Sequence, residues 1–224
     1  VSLTSHELRT PLTAIAGSLS TINDGFAGKI DYKAKEFIEG AYNECLRLIR
    51  LVNNLLNISR IEAGRLKFIF SDFDLGKTID EVIENLKTEV QEKKIDFSYY
   101  YEPKLIVYAE QDKVREIIIN LLSNAIKFTD KGGVSLTSWV DDGCVVTAIE
   151  DTGRGIQLED QQKLFKKFER IDGQDSGKAK GGTGLGLYIC RNLLEGMSGD
   201  IWLNSEYGKG TTFYFILPLK LAKS

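Results

Sequence analysis

The chain has 224 residues, 42% of them apolar and 27% charged, with a formal net charge of −3. At about 150 residues per domain this is one or two folded domains with enough apolar side chains for a core. It is not a disordered chain, a fibrous repeat or a broad, salt-driven nucleic-acid binder. No apolar run approaches the ~18 residues of a bilayer span, and the N-terminus does not read as a signal peptide. Val1 opens in mid-pattern, so a fragment of a longer protein is expected. Three widely spaced cysteines, Cys45, Cys144 and Cys190, give neither a disulfide framework nor a zinc pattern, and a reducing cytosol is expected. The single histidine, His6, excludes a multi-histidine metal site.

The first part of the chain is helical. Leu8, Leu12, Ile15, Leu19, Ile22 and Phe26 recur at steps of four and three. Ala34, Phe37 or Ile38, Ala41, Cys45, Leu48, Val52 and Leu55 do the same. Both stripes have a coiled-coil period. Asp24-Gly25-Phe26-Ala27-Gly28 between them reads as a turn, so the spacing predicts a hairpin of helices over 2–26 and 31–63. Two helices with one seam each cannot close a core alone. Two copies packed as a four-helix bundle, a homodimer, resolve this; docking onto another partner is the alternative.

Gly64 reads as a helix C-cap, and the pattern changes from Ser71. A short strand begins at Phe73-Asp74-Leu75, followed by a helix over 79–90. Strands are expected at 97–101 and 105–108, then a strong helix over 113–128. A hairpin joins 134–140 to 144–149 across Asp141-Asp142-Gly143. A helix over 160–168, a Gly/Ser/Lys-rich loop over 172–182, a helix over 185–195 and strands at 201–205 and 211–217 complete the chain. This mixture predicts an α/β sandwich, a sheet covered on one face by helices. The domains expected are 1–65, a linker over 66–70, 71–219 and a tail over 220–224.

Four segments carry chemistry. In Ser5-His6-Glu7-Leu8-Arg9-Thr10-Pro11 the wheel sets His6 well away from the Leu8/Leu12 seam, on a face with Arg9, Thr10 and Thr13. The imidazole is expected to face solvent beside an acid, one turn from a proline kink. On the helix over 113–128, Glu116, Asn120, Asn124 and Lys127 share one face. A wet helix face is usually rich in Lys and Glu. Two asparagines one turn apart instead offer neutral oxygens for a hard cation, with Lys127 in reach of a phosphate. Asp151-Thr152-Gly153-Arg154-Gly155 follows a strand directly. It is either a plain turn or a carboxylate placed to accept from an exocyclic amine, with glycines admitting a flat base. Gly181 to Leu187 opens a helix with free amides for an anion, and fits neither a P-loop nor a dinucleotide fingerprint. Gly208-Lys209-Gly210-Thr211-Thr212 reads as a hairpin turn on its own.

In this order the segments resemble the catalytic core of a two-component sensor histidine kinase, over essentially the whole chain. SHELRTPL (5–12) is similar to the family's H box and NLLSNAIKFT (120–129) to its N box. DTGRGI (151–156) is similar to the G1 box, FKKF (165–168) to the F box and GTGLGL (182–187) to the G2 box. The resemblance implies an all-α dimerisation and histidine-phosphotransfer domain followed by a Bergerat-type ATP-binding domain, shared with Hsp90-like chaperones, DNA gyrase B and MutL. It implies ATP and Mg²⁺ as cofactors and His6 as the phosphorylated nucleophile. Glu7 would hold the other ring nitrogen, and Thr10 would serve dephosphorylation of the partner. Asn120 and Asn124 would carry the magnesium and Lys127 would contact phosphate. Asp151 would read the adenine amine, Gly153 and Gly155 would lie against the base, and Ile156, Phe128, Leu185, Leu187, Thr183 and Thr212 would complete the nucleotide site. Residues 172–181 would form a lid hinged on Gly182, Gly184 and Gly186 and anchored by Phe165 and Phe168. Phe128 stands where the family often has Tyr, which leaves a ring to pack on the nucleotide.

The partner implied is a response-regulator receiver domain, docked on Thr13, Ala14, Gly17 and Ser18, with phosphoryl transfer to its aspartate and, as a further step, its dephosphorylation. Sensor or linker domains would precede this portion. Family habit favours a cytoplasmic portion of an inner-membrane sensor, though soluble members exist. Two other readings stand beside it: a gyrase/Hsp90-type ATPase doing conformational work, and a degenerate kinase acting as a dimeric scaffold.

Overall fold

The computed structural model describes residues 2–28, 30–169 and 183–219, with the side chains of residues 2–6, 8 and 9 outside that description. The chain forms two compact units, Val1–Leu66 and Lys67–Ser224.

The first unit is a pair of helices, α1 (Ser2–Asn23) and α2 (Tyr32–Glu62). Helix α1 ends earlier than expected, because the chain turns at Gly25 with φ +83° and the Phe26 amide bonds back to the Thr21 carbonyl. Phe26 therefore leaves the helical stripe and stands exposed. Asp31 caps α2, its carboxylate accepting from the Ala34 amide at 2.9 Å. Gly64, at φ +61°, stops α2, and the Arg65 amide reaches the Arg60 carbonyl at 2.8 Å. Ala16, Cys45 and Ile58 are buried, and where the helices meet the Cys45 thiol donates to the Leu12 carbonyl. Ile15, Phe37, Leu48 and Leu55, all expected on the apolar stripes, are exposed in the single chain.

The second unit runs β1 (Ser71–Asp74), α3 (Leu75–Lys93), β2 (Asp96–Tyr101), β3 (Ile106–Ala109), α4 (Gln111–Phe128), β4 (Gly133–Asp141), β5 (Cys144–Asp151), α5 (Leu158–Gln161), α6 (Gly186–Gly196), β6 (Asp200–Glu206) and β7 (Gly210–Pro218). Strands β1 and β3 pair as a small antiparallel ribbon. The other five form a sheet in the order β2-β4-β5-β7-β6, parallel only between β2 and β4. Period-two alternation turns Leu136, Ile149, Phe213, Phe215 and Leu217 to one face. Against that face pack the apolar sides of α3, α4 and α6, with Ile79, Ile117, Ile118, Leu121, Leu122 and Leu193 all fully buried. The opposite face is open, and there Trp202 stacks on Tyr214 at 5.4 Å.

One expectation needs correction. The helix over 160–168 is only the single turn α5, and the chain after Gln161 continues as turns up to Phe168, whose φ is +62°. Within the connector over 66–70, the Phe68 ring lies on Gly196, filling the place of a Cβ there, and Phe70 stacks on Tyr108 at 5.3 Å. The loop over 172–182, with Gly182 and the expected lid, and the tail over 220–224 lie outside the described residues.

Candidate functional site

Helix α4 carries the polar half of the site because its sequence is amphipathic. Val114, Ile118, Leu121, Leu122 and Ala125 are buried, which turns Glu116, Asn120, Asn124 and Lys127 to the other side. The Asn124 amide donates to the Asn120 oxygen at 3.3 Å, and the Asn120 amide donates to the Cys190 sulfur on α6 at 3.2 Å. Burial pushes the Cys190 thiol up to about 12, so it stays neutral. Gly186, at the start of α6, lies against the same amide: a Cβ there would fall 2.5 Å from Nδ2 and 2.6 Å from Oδ1 of Asn120. Glu116 pairs with Lys113 at 2.9 Å.

The C-terminal end of α4 is held from α3. The Lys93 ammonium donates to the carbonyls of Ile126, Lys127 and Thr129 at 2.5, 2.9 and 3.1 Å, meeting the negative end of the helix. This fixes Lys127 and Phe128. The Lys127 ammonium lies 4.9 Å from the Phe128 ring centre, and the Arg154 guanidinium 5.2 Å.

Asp151 ends β5 and is buried, which raises its carboxyl above the ordinary value. The Gly153 amide, donating at 2.8 Å, and the Thr211 amide oppose that rise. Gly153 and Gly155 were expected to lie against a base. The structure gives each glycine a nearer reason. A Cβ on Gly153 would meet the Phe128 carbonyl at 2.6 Å and Asp151 Oδ1 at 2.7 Å. One on Gly155, at φ +65°, would enter the Glu206 carbonyl, and one on Gly210 would enter the Asp151 carbonyl. Ile156 is tied down at both backbone groups, its amide donating to Ser205 Oγ at 2.9 Å and its carbonyl accepting from Gln161 Nε2 at 2.9 Å.

Thr212 needs correction. It pairs in register with Glu150 and Asn204, while Thr211 pairs with Asp151, so alternation turns Thr212 to the face away from Asp151. The buried threonine beside the carboxylate is Thr211. Of the F-box rings, Phe165 is half-buried beneath the Arg191 guanidinium at 4.2 Å, whereas the Phe168 ring is 62% exposed and only its amide is engaged, by the Gly184 carbonyl at 3.0 Å. Leu185 is fully buried; Thr183 and Leu187 are half-buried at the entry to α6.

On the first unit, His6 lies within α1, and its expected solvent-facing side chain falls outside the described residues. Glu7, Thr10, Thr13, Ala14, Gly17 and Ser18 are all exposed along α1, with Ser18 Oγ donating to the Ala14 carbonyl. The structure thus gathers Asn120, Asn124 and Gly186 at one corner of the second unit. It gathers Phe128, Asp151 and Gly153 with Gly155 and Ile156 at another, and leaves Thr212 outside. Sequence reasoning missed Lys93, Gln161, Cys190, Ser205 and Thr211. Only Thr211 had a signal: Phe213, Phe215 and Leu217 set the buried phase of the strand, and 211 is in step with it.

The donor set suits a hard cation, being two neutral amide oxygens one turn apart. Among the described residues no cluster of three His, Cys, Asp or Glu side chains could hold a metal alone. No described helix is long and apolar enough to cross a membrane.

Residues 109–221 match the family described as histidine kinase-, DNA gyrase B- and HSP90-like ATPase, and residues 1–64 match the His Kinase A (phospho-acceptor) domain. The chain is 34% identical to the hybrid signal transduction histidine kinase L of Dictyostelium discoideum, over 98% of this chain and 13% of that protein. It is also 34% identical to the sensor histidine kinase WalK of Bacillus subtilis, over 98% of this chain and 36% of WalK. It therefore spans about a third or less of these relatives. Among solved structures, full-length ShkA in complex with AMPPNP superposes with a TM-score of 0.81 at 28% identity, over 100% of this chain and 46% of that one. The Acinetobacter baumannii histidine kinase AdeS gives 0.68 at 25% identity, over 96% of this chain and 98% of that one. With a phospho-acceptor domain matched at its N-terminal end and the ATPase domain matched after it, the chain belongs to the sensor histidine kinases of two-component systems.

Proposed function

We propose that this chain phosphorylates His6 from ATP and passes the phosphoryl group to an aspartate of a response regulator. The observation that carries the reading is the pairing of two polar corners on one module. Asn120 sits under Gly186 with Asn124 bonded to it at one, and the buried Asp151 sits beside Phe128 at the other. Such an arrangement suits a ligand with a polyphosphate at one end and a flat, amine-bearing base at the other. ShkA, solved with AMPPNP, has the same fold.

In this reading Asp151 accepts from the base amine, Phe128 packs on the nucleotide, and Lys127 contacts phosphate. Asn120 and Asn124 would hold Mg²⁺, which neutralises phosphate charge when bound. A ring nitrogen of His6 attacks the γ-phosphorus, the N–P bond forms, and the bond to the ADP oxygen breaks. Glu7 takes the hydrogen bond of the other ring nitrogen and the charge that develops there. The protein's contribution is mainly position and charge. In this reading residues 1–65 serve phosphotransfer, 66–70 link the units, and 71–219 form the nucleotide module.

Two hairpins would pair through Ile15, Phe37, Leu48 and Leu55, whose exposure in one chain leaves an apolar stripe uncovered. The exposed small residues Thr13, Ala14, Gly17 and Ser18 would receive the regulator, and Thr10 would serve its dephosphorylation. Sensor or linker domains outside this portion would supply the signal, with this portion in the cytoplasm.

The test is incubation with γ-labelled ATP and Mg²⁺. An acid-labile, alkali-stable label that disappears in His6→Gln supports the reading. Free phosphate without that label indicates an ATPase doing conformational work, and neither product indicates a scaffold.

A further inference from the structure

The face of the five-stranded sheet turned away from the helices is built from alternate residues of each strand. Register sets Tyr100, Thr137, Ala148, Tyr214 and Trp202 side by side across all five strands. Trp139, Val146 and Ile216 form the adjoining row, which ends at Asp200. The chain has two tryptophans, and both stand on this face. Trp202 and Tyr214 stack with only 7° between their planes, a flat platform, and Trp202 is 41% and Tyr100 65% exposed. A sheet face that meets only water alternates to polar side chains. Aromatic rings gathered in one open band have instead the composition of an interface core.

Charge is segregated on the same face. None of the five strands contains a lysine or an arginine. Asp141, Glu150, Asp200 and Glu206 all fall on the open side by register, and all are exposed. Glu206 pairs with Lys209 in the turn that follows, at 2.7 Å. The chain as a whole is nearly balanced, with 29 basic and 32 acidic residues, so the excess belongs to the face. An aromatic band bordered by carboxylates decides among occupants. A second copy of the face would set acid against acid. A nucleic acid or an anionic lipid surface meets the same repulsion. A cationic, partly apolar protein segment meets attraction on both counts.

We propose that this open sheet face is a docking surface for a protein segment that carries arginine among apolar side chains. The apolar groups cover the band formed by Tyr214, Ile216 and Val146. A guanidinium lies on the Trp202 ring, the aromatic that best attracts a cation. Asp200 stands two residues away on the same side of β6 and accepts from it. Its Oδ1 takes the Ile201 amide at 2.7 Å, and a carboxylate, with about four lone-pair sites, keeps acceptors to spare.

The experiment uses the full 224-residue chain without nucleotide, so its outcome is separate from that of the kinase reading. The probes are two labelled helical peptides with the same leucine stripe, bordered in one by arginine and in the other by glutamate. Binding is read by peptide anisotropy and by the emission of Trp139 and Trp202, which both lie on the face. The arginine peptide binds saturably, shifts the emission and weakens as salt is raised, and the glutamate peptide does not bind. Trp202→Ala, and separately Asp141→Asn with Asp200→Asn, weaken the arginine peptide about tenfold, with melts matching the parent to show that the variants are folded. Trp202→Phe, which keeps a ring, loses less than Trp202→Ala. Equal binding of the two peptides, or binding of the arginine peptide that neither set of variants weakens, overturns the proposal, as does no binding at all. Self-association that Trp202→Ala abolishes assigns the face to a second copy, and recruitment to phosphatidylserine vesicles that Trp202→Ala abolishes assigns it to a membrane; either overturns it too.

Discussion

Replacing Gly186 with alanine separates folding from chemistry. Gly186 is not at positive φ, so its backbone accepts a side chain. The new methyl would stand 2.5 Å from Nδ2 and 2.6 Å from Oδ1 of Asn120. Carbon contacts settle near 3.5–4 Å, so the amide must retreat by about 1 Å. The obstacle is the rotatable end of one side chain, and yielding costs about 0.5–1.5 kcal/mol of rotamer strain. Alanine in a helix returns about 0.5–1 kcal/mol over glycine. The net change is within about 1 kcal/mol, a melting shift of no more than about 4 °C for a chain of this size. The catalytic effect is far larger, because an error of about 1 Å in a positioning group costs on the order of a hundredfold. Thermal melting and initial rates of His6 labelling across ATP concentrations measure both. A variant with wild-type kcat/KM and an unchanged melt would show that the Asn120 amide does not matter to the reaction. A melt lower by ten degrees would show that backbone, not the amide, yields.

Three further outcomes are expected. Asp151→Asn melts higher than the parent at neutral pH and does not bind ATP. Burial raises the Asp151 carboxyl, so the stability linked to its proton is present in acid and is lost as pH rises through the folded-state value; the parent and variant melts converge as pH falls. Lys93→Met leaves three carbonyls at the end of α4 without their shared donor; bonds to charged groups are worth about 1.5–3 kcal/mol, so the melt falls by several degrees and the KM for ATP rises. Leu48→Glu together with Leu55→Glu places charge on the exposed apolar stripe of α2, and sedimentation should show a monomer where the parent sediments as a dimer; equal sedimentation of the two refutes the bundle.

Periodicity carried most of the fold. The long stripes on α1, α2 and α4 and the alternation in β4, β5 and β7 report burial directly, and their ends are marked by local chemistry at Asp31, Gly64 and Gly143. The residues around 160–168 misled because Leu164, Phe165 and Phe168 mimic a helical stripe. What holds Phe165 is Arg191, a contact made across the fold that no local pattern announces. The candidate site was legible where a residue type is itself unusual for its place, as with Asn120 and Asn124 on a wet helix face. The supports were not. Lys93 reaches carbonyls 33 to 36 positions away, and Cys190 meets an amide 70 positions away. The exchange of Thr211 for Thr212 is an error of phase: adjacent threonines look alike, and only the pairing with Asp151 says which one faces inward.

The glycines at 155 and 210 press on each other's neighbourhoods, one against the Glu206 carbonyl and the other against the carbonyl of Asp151. Main chain meets main chain at both places, so no compensating side-chain swap exists to relieve a change at either. Descendants of this sequence must inherit the two segments as a single heirloom.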